Sequence, residues 1–310
     1  KPLAVAFAFF GVLVAYFGIG TFAQVNSIVE ITQLNAGIPV VWTAVILTII
    51  VAGVTLGGLQ SIAEAASKIV PAMAVIYLAS TLGILVIFAD RIPAAIVEIL
   101  TDAFTPTAAV GGFLGASVLL AMRSGVARGV FSNESGLGSA PIVAAAAKTN
   151  WPAEQGLVSM TGTFIDTIII CTLTGLVIVI SGQWTTDLNG AALTNAAFAQ
   201  AYPTFGGYLL MVGLVLFAFT TILGWNYYGE RCMEYLVGTK GIMPYRIGFI
   251  ILVAAGAFVK LEAIWILADI VNGLMAIPNL IALLGLSGVV VAETKKYNQH
   301  VKEQKQKKAA

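Results

Sequence analysis

Apolar segments long enough to cross a bilayer recur along almost the whole chain, and they leave little room for anything else. Eight are recognised: Leu3–Ile28, Pro39–Leu59, Ile69–Ala89, Pro106–Ser135, Gly156–Ser181, Gly206–Tyr228, Ile247–Val259 and Ile264–Ala292. A crossing helix needs about 20 apolar residues, and most of these have them. With 59% hydrophobic and only 10% charged residues and a mean hydropathy of +0.94, a water-soluble globule is excluded. The fold class is an all-α polytopic membrane protein.

The eighth segment is long for one straight crossing and contains Pro278, so it could also be two spans, Ile264–Ala276 and Asn279–Ala292. The positive-inside rule separates the two counts. The terminal KKYNQHVKEQKQKK carries six lysines and belongs in the cytoplasm. Counted back through eight spans, Lys1, Lys68, Arg123, Arg128, Lys148, Arg231, Lys240 and Arg246 join it inside, leaving only Arg91 and Lys260 outside. Nine spans split the basic residues evenly. Eight spans are expected, with the last helix bent at Pro278. The chain then divides into a transmembrane domain, 1–294, and a basic cytoplasmic tail, 295–310.

Other classes are excluded quickly. A net charge of +1 gives no basis for nucleic-acid binding. Cys171 and Cys232 lie in or beside different apolar segments, and the sole histidine, His300, is in the tail, so neither a disulfide framework nor a metal cluster is expected. The chain starts at Lys1 and enters an apolar run without a small-residue cleavage site, which reads as N-terminal truncation rather than a signal peptide.

One segment is discontinuous by arithmetic. Thr107–Met122 is apolar but only about 24 Å long as a helix, short of the ~30 Å hydrocarbon core. To finish crossing, the chain must use the glycine-rich Ser124–Gly129 that follows. Irregular backbone at that depth survives only where protein or a water-filled cavity satisfies it, so a broken helix of the transporter type is expected. A short helix followed by a cytosolic loop is the alternative.

Polar groups within the spans mark candidate sites. In the sixth span, the Phe217 carbonyl and the hydroxyls of Thr220 and Thr221 sit at i, i+3 and i+4 and converge on one face. Three neutral oxygens suit a hard monovalent cation such as Na⁺, with Trp225 one turn below to wall the same cavity. The competing reading is that each threonine bonds back to its own helix. Gln24 and Asn26 carry amides able to hold both ends of a zwitterion, or to meet water at a helix end. Asp166 suggests a proton relay, a cation ligand or a structural hydrogen bond. Asp269 and Asn272 share one helix face and read as structural. Arg128 could snorkel to the inner surface or pair with Glu134 as an inner gate.

The motifs RGVFSNESGLGSAP, AFTTILGWNYYGER and NGLMAIPNLIALL resemble the alanine or glycine:cation symporter family, also called sodium:alanine symporters. The resemblance covers essentially the whole chain. It implies the amino acid–polyamine–organocation superfamily and the five-plus-five inverted-repeat fold of the bacterial leucine transporter. It also implies eleven spans with an outside N-terminus and an inside C-terminus, in the plasma (inner) membrane of a prokaryote. The eight spans here would be the fourth to the eleventh. The glycine-rich first broken helix of the family, with its TGN motif, is absent, so this chain alone is not expected to transport. Thr220, Thr221 and the Phe217 carbonyl would form the helix side of the sodium site. Thr221, Trp225, Asn26 and Gln24 would face the substrate. The break at Gly125–Phe131, with Gly129, would be the second broken helix and Phe131 an aromatic over the substrate; Gly111-Gly112-Phe113 is the rival position for that break.

The implied function is symport of alanine or glycine with Na⁺ by alternating access, with Na⁺ as co-transported ion and no cofactor. Proton coupling, a channel and an intramembrane enzyme are the alternatives. An enzyme would need a nucleophile with a base or paired acids, and no span contains a histidine.

Overall fold

A computed structural model describes residues 1–104, 114–259 and 261–309. Among the described residues all regular structure is helical. Five helical units are long and apolar enough to cross a membrane: Pro2–Ala36, Gly58–Ile87, Pro152–Ser181, Gly206–Val237 and Ala263–Lys307. In chain order the helices are α1 Pro2–Phe17, α2 Phe22–Ala36, α3 Val40–Leu56, α4 Gly58–Ile87, α5 Ile92–Phe104, α6 Leu114–Asn133, α7 Ala140–Ala144, α8 Pro152–Thr163, α9 Thr172–Ser181, α10 Gly190–Ala201, α11 Gly206–Val237, α12 Ile242–Gly256 and α13 Leu261–Ala309. A π-helical stretch, Phe164–Cys171, joins α8 to α9.

α11 is the pillar of the structure, packed by α1, α2, α4 and α10. In lipid no hydrophobic term draws helices together, so close packing of small residues decides which faces meet. The α1–α11 seam follows that rule. Ala8, Gly11 and Ala15 line one face of α1. A Cβ on Gly11 would lie 2.7 Å from the Cys232 sulfur, and one on Gly229 of α11 would lie 2.6 Å from the Ala15 Cβ. Large apolar side chains such as Ile49, Val86 and Leu284 point outward, as a lipid-facing surface requires.

The first expected span is not one helix. It unwinds at Gly18–Thr21 between α1 and α2. Contact with two neighbours explains the break. A Cβ on Gly20 would stand 2.5 Å from Trp225 Cβ, and one on Gly18 3.0 Å from Val271 of α13. Side chains close the exposed backbone: Thr21 Oγ donates to the Ala15 carbonyl at 2.5 Å and Gln24 Nε2 to the Ile19 carbonyl at 3.1 Å. The helix restarts with the Val25 amide on the Thr21 carbonyl at 2.9 Å.

The interruption expected across Ser124–Phe131 is not there. α6 runs unbroken from Leu114 to Asn133 with Gly125 and Gly129 inside it. Neither glycine is crowded: a Cβ on either would meet nothing within 4 Å. A mid-helix glycine costs only about 0.5–1 kcal/mol, less than unpaired backbone groups would cost in lipid. The rival position, Gly111-Gly112-Phe113, lies outside the described residues. The last helix, α13, passes through Pro278 as a single element of 49 residues, as the eight-span count requires. It continues helical into the lysine-rich end, where His300 stacks on Trp151 with ring centroids 4.7 Å apart.

Candidate functional site

One face of α11 stays half open. Phe217, Thr220, Thr221, Gly224 and Tyr228 follow helical spacing and are only partly buried, while Trp225 at the edge of that stripe and Ile222, Leu223 and Asn226 on the other faces are buried. A Cβ added at Gly224 would meet nothing within 4 Å, so the stripe opens onto space. The three oxygens expected to converge here do so. Thr220 Oγ1 lies 3.0 Å and Thr221 Oγ1 2.9 Å from the Phe217 carbonyl. Thr220 also reaches the Leu216 carbonyl at 3.0 Å and the Met73 sulfur of α4 at 3.7 Å. Both hydroxyls therefore bond back to their own helix. A hydroxyl donating its proton keeps its oxygen lone pairs, so the set can still receive a cation.

Around Trp225 the three motifs singled out in the sequence meet. The indole presses on the α1–α2 break through Gly20 and shares a buried cluster with Leu137 of the turn after α6 and Met275 of α13. Glu134 begins the turn after α6, with φ at 56°, and its Oε2 accepts Ser139 Oγ at 2.7 Å. Gly136 and Gly138 continue the turn at φ 83° and 89°. Only glycine fits at 138: besides its left-handed backbone, a Cβ there would lie 2.7 Å from both Phe7 of α1 and Asn279 of α13. Asn279 Nδ2 donates to the Gly136 carbonyl at 2.9 Å. The NESGLGSAP turn is thus wedged between α1, α11 and α13.

The remaining expected site residues are more dispersed. Asn26 Nδ2 donates to the Val259 carbonyl at 3.1 Å, tying α2 to the chain just after α12, and Gln24 serves the break itself. Phe131 packs on Trp265 of α13, centroids 5.0 Å apart, and beside Phe22 and Ala23 at the start of α2. Gly125 and Gly129 lie on an open side of α6. Among the described residues, no hydrogen bond or ring contact links Asn26, Gly125 or Gly129 to the Thr220–Thr221 face.

Two polar clusters flank α6. On one side Ser132 Oγ donates to Asp166, 2.9 and 2.8 Å from its two carboxylate oxygens, and Asn133 Nδ2 to Thr167 Oγ1 at 3.0 Å. Asp166 sits in the π-helical stretch, a distortion often found at functional positions. On the other side Arg128 pairs with Asp269 at 2.6 Å, not with Glu134 as the inner-gate reading required. Glu134 instead accepts Ser139.

Sequence reasoning missed the Gly18–Thr21 break, although Gly-Ile-Gly-Thr inside an apolar run was its signal. It also missed Asn226. This side chain is fully buried beside Trp225, and neither its amide nitrogen nor its oxygen has a hydrogen-bond partner. Such a group costs about 1–3 kcal/mol.

Comparison with known proteins now bears on this geometry. The family model described as the sodium:alanine symporter family matches residues 1–310. The chain belongs to the sodium:alanine symporter family. An uncharacterized transporter of Haemophilus influenzae is 57% identical over 302 residues, covering 97% of this chain and 66% of the relative. The sodium/alanine symporter AgcS of Methanococcus maripaludis is 52% identical over 303 residues, 96% of this chain and 66% of its own length. The probable sodium/glutamine symporter GlnT of Bacillus subtilis is 36% identical over 299 residues, 95% and 62%. The chain spans just under two thirds of the length of these relatives. The family and these relatives are transporters, not enzymes, and the apolar helices make the chain an integral membrane protein.

Proposed function

We propose that the whole protein is a symporter that moves a small neutral amino acid, alanine or glycine, with Na⁺ by alternating access. The observation that carries this is the Phe217 carbonyl with the Thr220 and Thr221 hydroxyls on the half-open face of α11, in a chain 52% identical to a protein named as a sodium/alanine symporter. Neutral oxygens suit Na⁺, which needs ligands but no full countercharge. Trp225 closes the same region one turn further on, and a small aromatic-walled pocket rejects larger side chains by clash. Thr221, Trp225, Asn26, Gln24 and Phe131 are the proposed substrate-facing residues; Gly125 and Gly129, inside the unbroken α6, drop out with the break that would have placed them there. We assign the fold to the five-plus-five inverted-repeat class and place the lysine-rich end of α13 in the cytoplasm.

Coupling follows from differential affinity: bound Na⁺ favours one cavity shape over the other. The test is uptake into proteoliposomes by the whole protein. Thr220→Ala with Thr221→Ala is expected to reduce Na⁺-driven alanine uptake to background. Unchanged uptake with unchanged Na⁺ dependence overturns the ion site. Uptake driven by a proton gradient without Na⁺ would transfer the reading to H⁺ coupling, and flux that only follows the solute gradient would make the protein a channel.

A further inference from the structure

α6 is suspended between two polar links. One is the Ser132 and Asn133 contact with Asp166 and Thr167. The other, on the opposite neighbour, involves four residues in two matched pairs. Arg128 and Phe131 are three apart on α6, and Trp265 and Asp269 four apart on α13, so each helix presents one charge and one ring on a single face. The two faces meet. Arg128 Nη2 lies 2.6 Å from both carboxylate oxygens of Asp269. Its guanidinium carbon stands 4.5 Å from the Trp265 ring centroid and 5.3 Å from that of Phe131. The rings themselves are 5.0 Å apart. Charge meets charge, ring meets ring, and the guanidinium serves both rings.

Three features suit this link to opening and closing. Both charged side chains remain about two-fifths exposed among the described residues, 41% for Arg128 and 45% for Asp269, so the pair is not sealed within the packing of α6 against α13. Ion pairs and cation–π contacts at such exposure are individually weak, so no deep trap holds the closed form. Phe131 also packs against Phe22, Ala23 and Ile264, and opening the link would release it from the start of α2, next to the Gly18–Thr21 break.

We propose that Arg128 and Asp269 are a positioning pair: a latch between α6 and α13 that holds Phe131 against the start of α2 and is made and broken in each transport cycle. The pair acts through Phe131 and need not touch the cargo. This rests on the transporter reading above for its role in a cycle, but its structural half is independent of it.

Two measurements test it in the whole protein. In proteoliposomes, R128Q and D269N are each expected to lower Vmax of Na⁺-driven alanine uptake about tenfold, the size expected from losing one ion pair and its ring contacts. KM for the amino acid should stay within about twofold, and the swap R128D/D269R should recover most of the loss, because attraction without a fixed direction suffices for a latch. With Cys171, Cys232 and any cysteine outside residues 1–310 replaced by Ser, maleimide labelling of V130C reports access beside Phe131 without needing transport. Its rate is expected to rise several-fold with R128Q or D269N and to fall back in the swap. Labelling that the neutral variants leave unchanged overturns the latch, as does a swap no better than the single changes. If labelling responds as expected while no variant, nor the unaltered protein, shows Na⁺-driven uptake, the symport reading fails and the latch stands.

Discussion

Single residues show how tightly the centre is determined. Gly20 is glycine because Trp225 Cβ and Cγ would lie 2.5 and 2.8 Å from any Cβ there, and those atoms cannot swing aside as a side-chain tip could. Gly20→Ala is expected to destabilise by about 1–3 kcal/mol through overpacking and to lower uptake by pushing the break off the indole; thermal unfolding in detergent and proteoliposome uptake measure the two effects. Gly138 carries two penalties at once, a left-handed backbone at φ 89° and contacts of 2.7 Å to Phe7 and Asn279. Gly138→Ala should therefore cost about 2–5 kcal/mol, whereas Gly125→Ala, with nothing within 4 Å, should be neutral or slightly stabilising by restoring helix propensity. Equal melting temperatures for the two variants would contradict this account. Thr220 and Thr221 illustrate the opposite case. Their spacing announced convergence on the Phe217 carbonyl, and the back-bonded hydroxyls hold that geometry in the structure.

At the scale of elements, α13 joins parts that sequence distance keeps apart. Asn279, one residue after Pro278, holds the Gly136 carbonyl, and Asp269, ten residues earlier on the same helix, holds Arg128. The last turns of α6 and the turn that follows are therefore fastened to one helix. Asn279→Leu keeps volume but removes the donor. It should leave the Gly136 carbonyl unpaired at a cost of about 1–3 kcal/mol, loosen the NESGLGSAP turn, and speed hydrogen exchange at residues 134–139 while leaving α11 protected; exchange mass spectrometry reads both regions. Exchange that rises uniformly would mean the turn is not a separate unit. Much of this layer was legible in outline. The all-helical, apolar character of the chain and the single long last helix came from hydropathy, basic-residue distribution and composition. Which motif touches which did not, because Asn279 and Gly136 are 143 residues apart and nothing local to either names its partner.

For the molecule as a whole, the division between sequence and tertiary structure follows from the range of the forces involved. Helicity and membrane insertion depend on the chain's own backbone bonds and on its apolar side chains meeting lipid, both local properties. The sequence alone therefore settled an all-helical membrane protein, and its motifs pointed to the symporter family that the comparisons establish. It also placed three oxygens on one face of α11, since i, i+3 and i+4 are neighbours in any helix. The position of the broken backbone was different. Glycine occurs at 18 and 20, at 111 and 112, and at 125 and 129, and glycine permits unwinding without requiring it. Only packing chose among the described positions: Trp225 and Val271 crowd Gly18 and Gly20 and the chain unwinds there, while Gly125 and Gly129 face open space and α6 stays intact. The partner of Arg128 was decided in the same way. Glu134 was near in sequence, but Ser139 engages its carboxylate, and Asp269, 141 residues away, was the acid that the packed helices brought within reach.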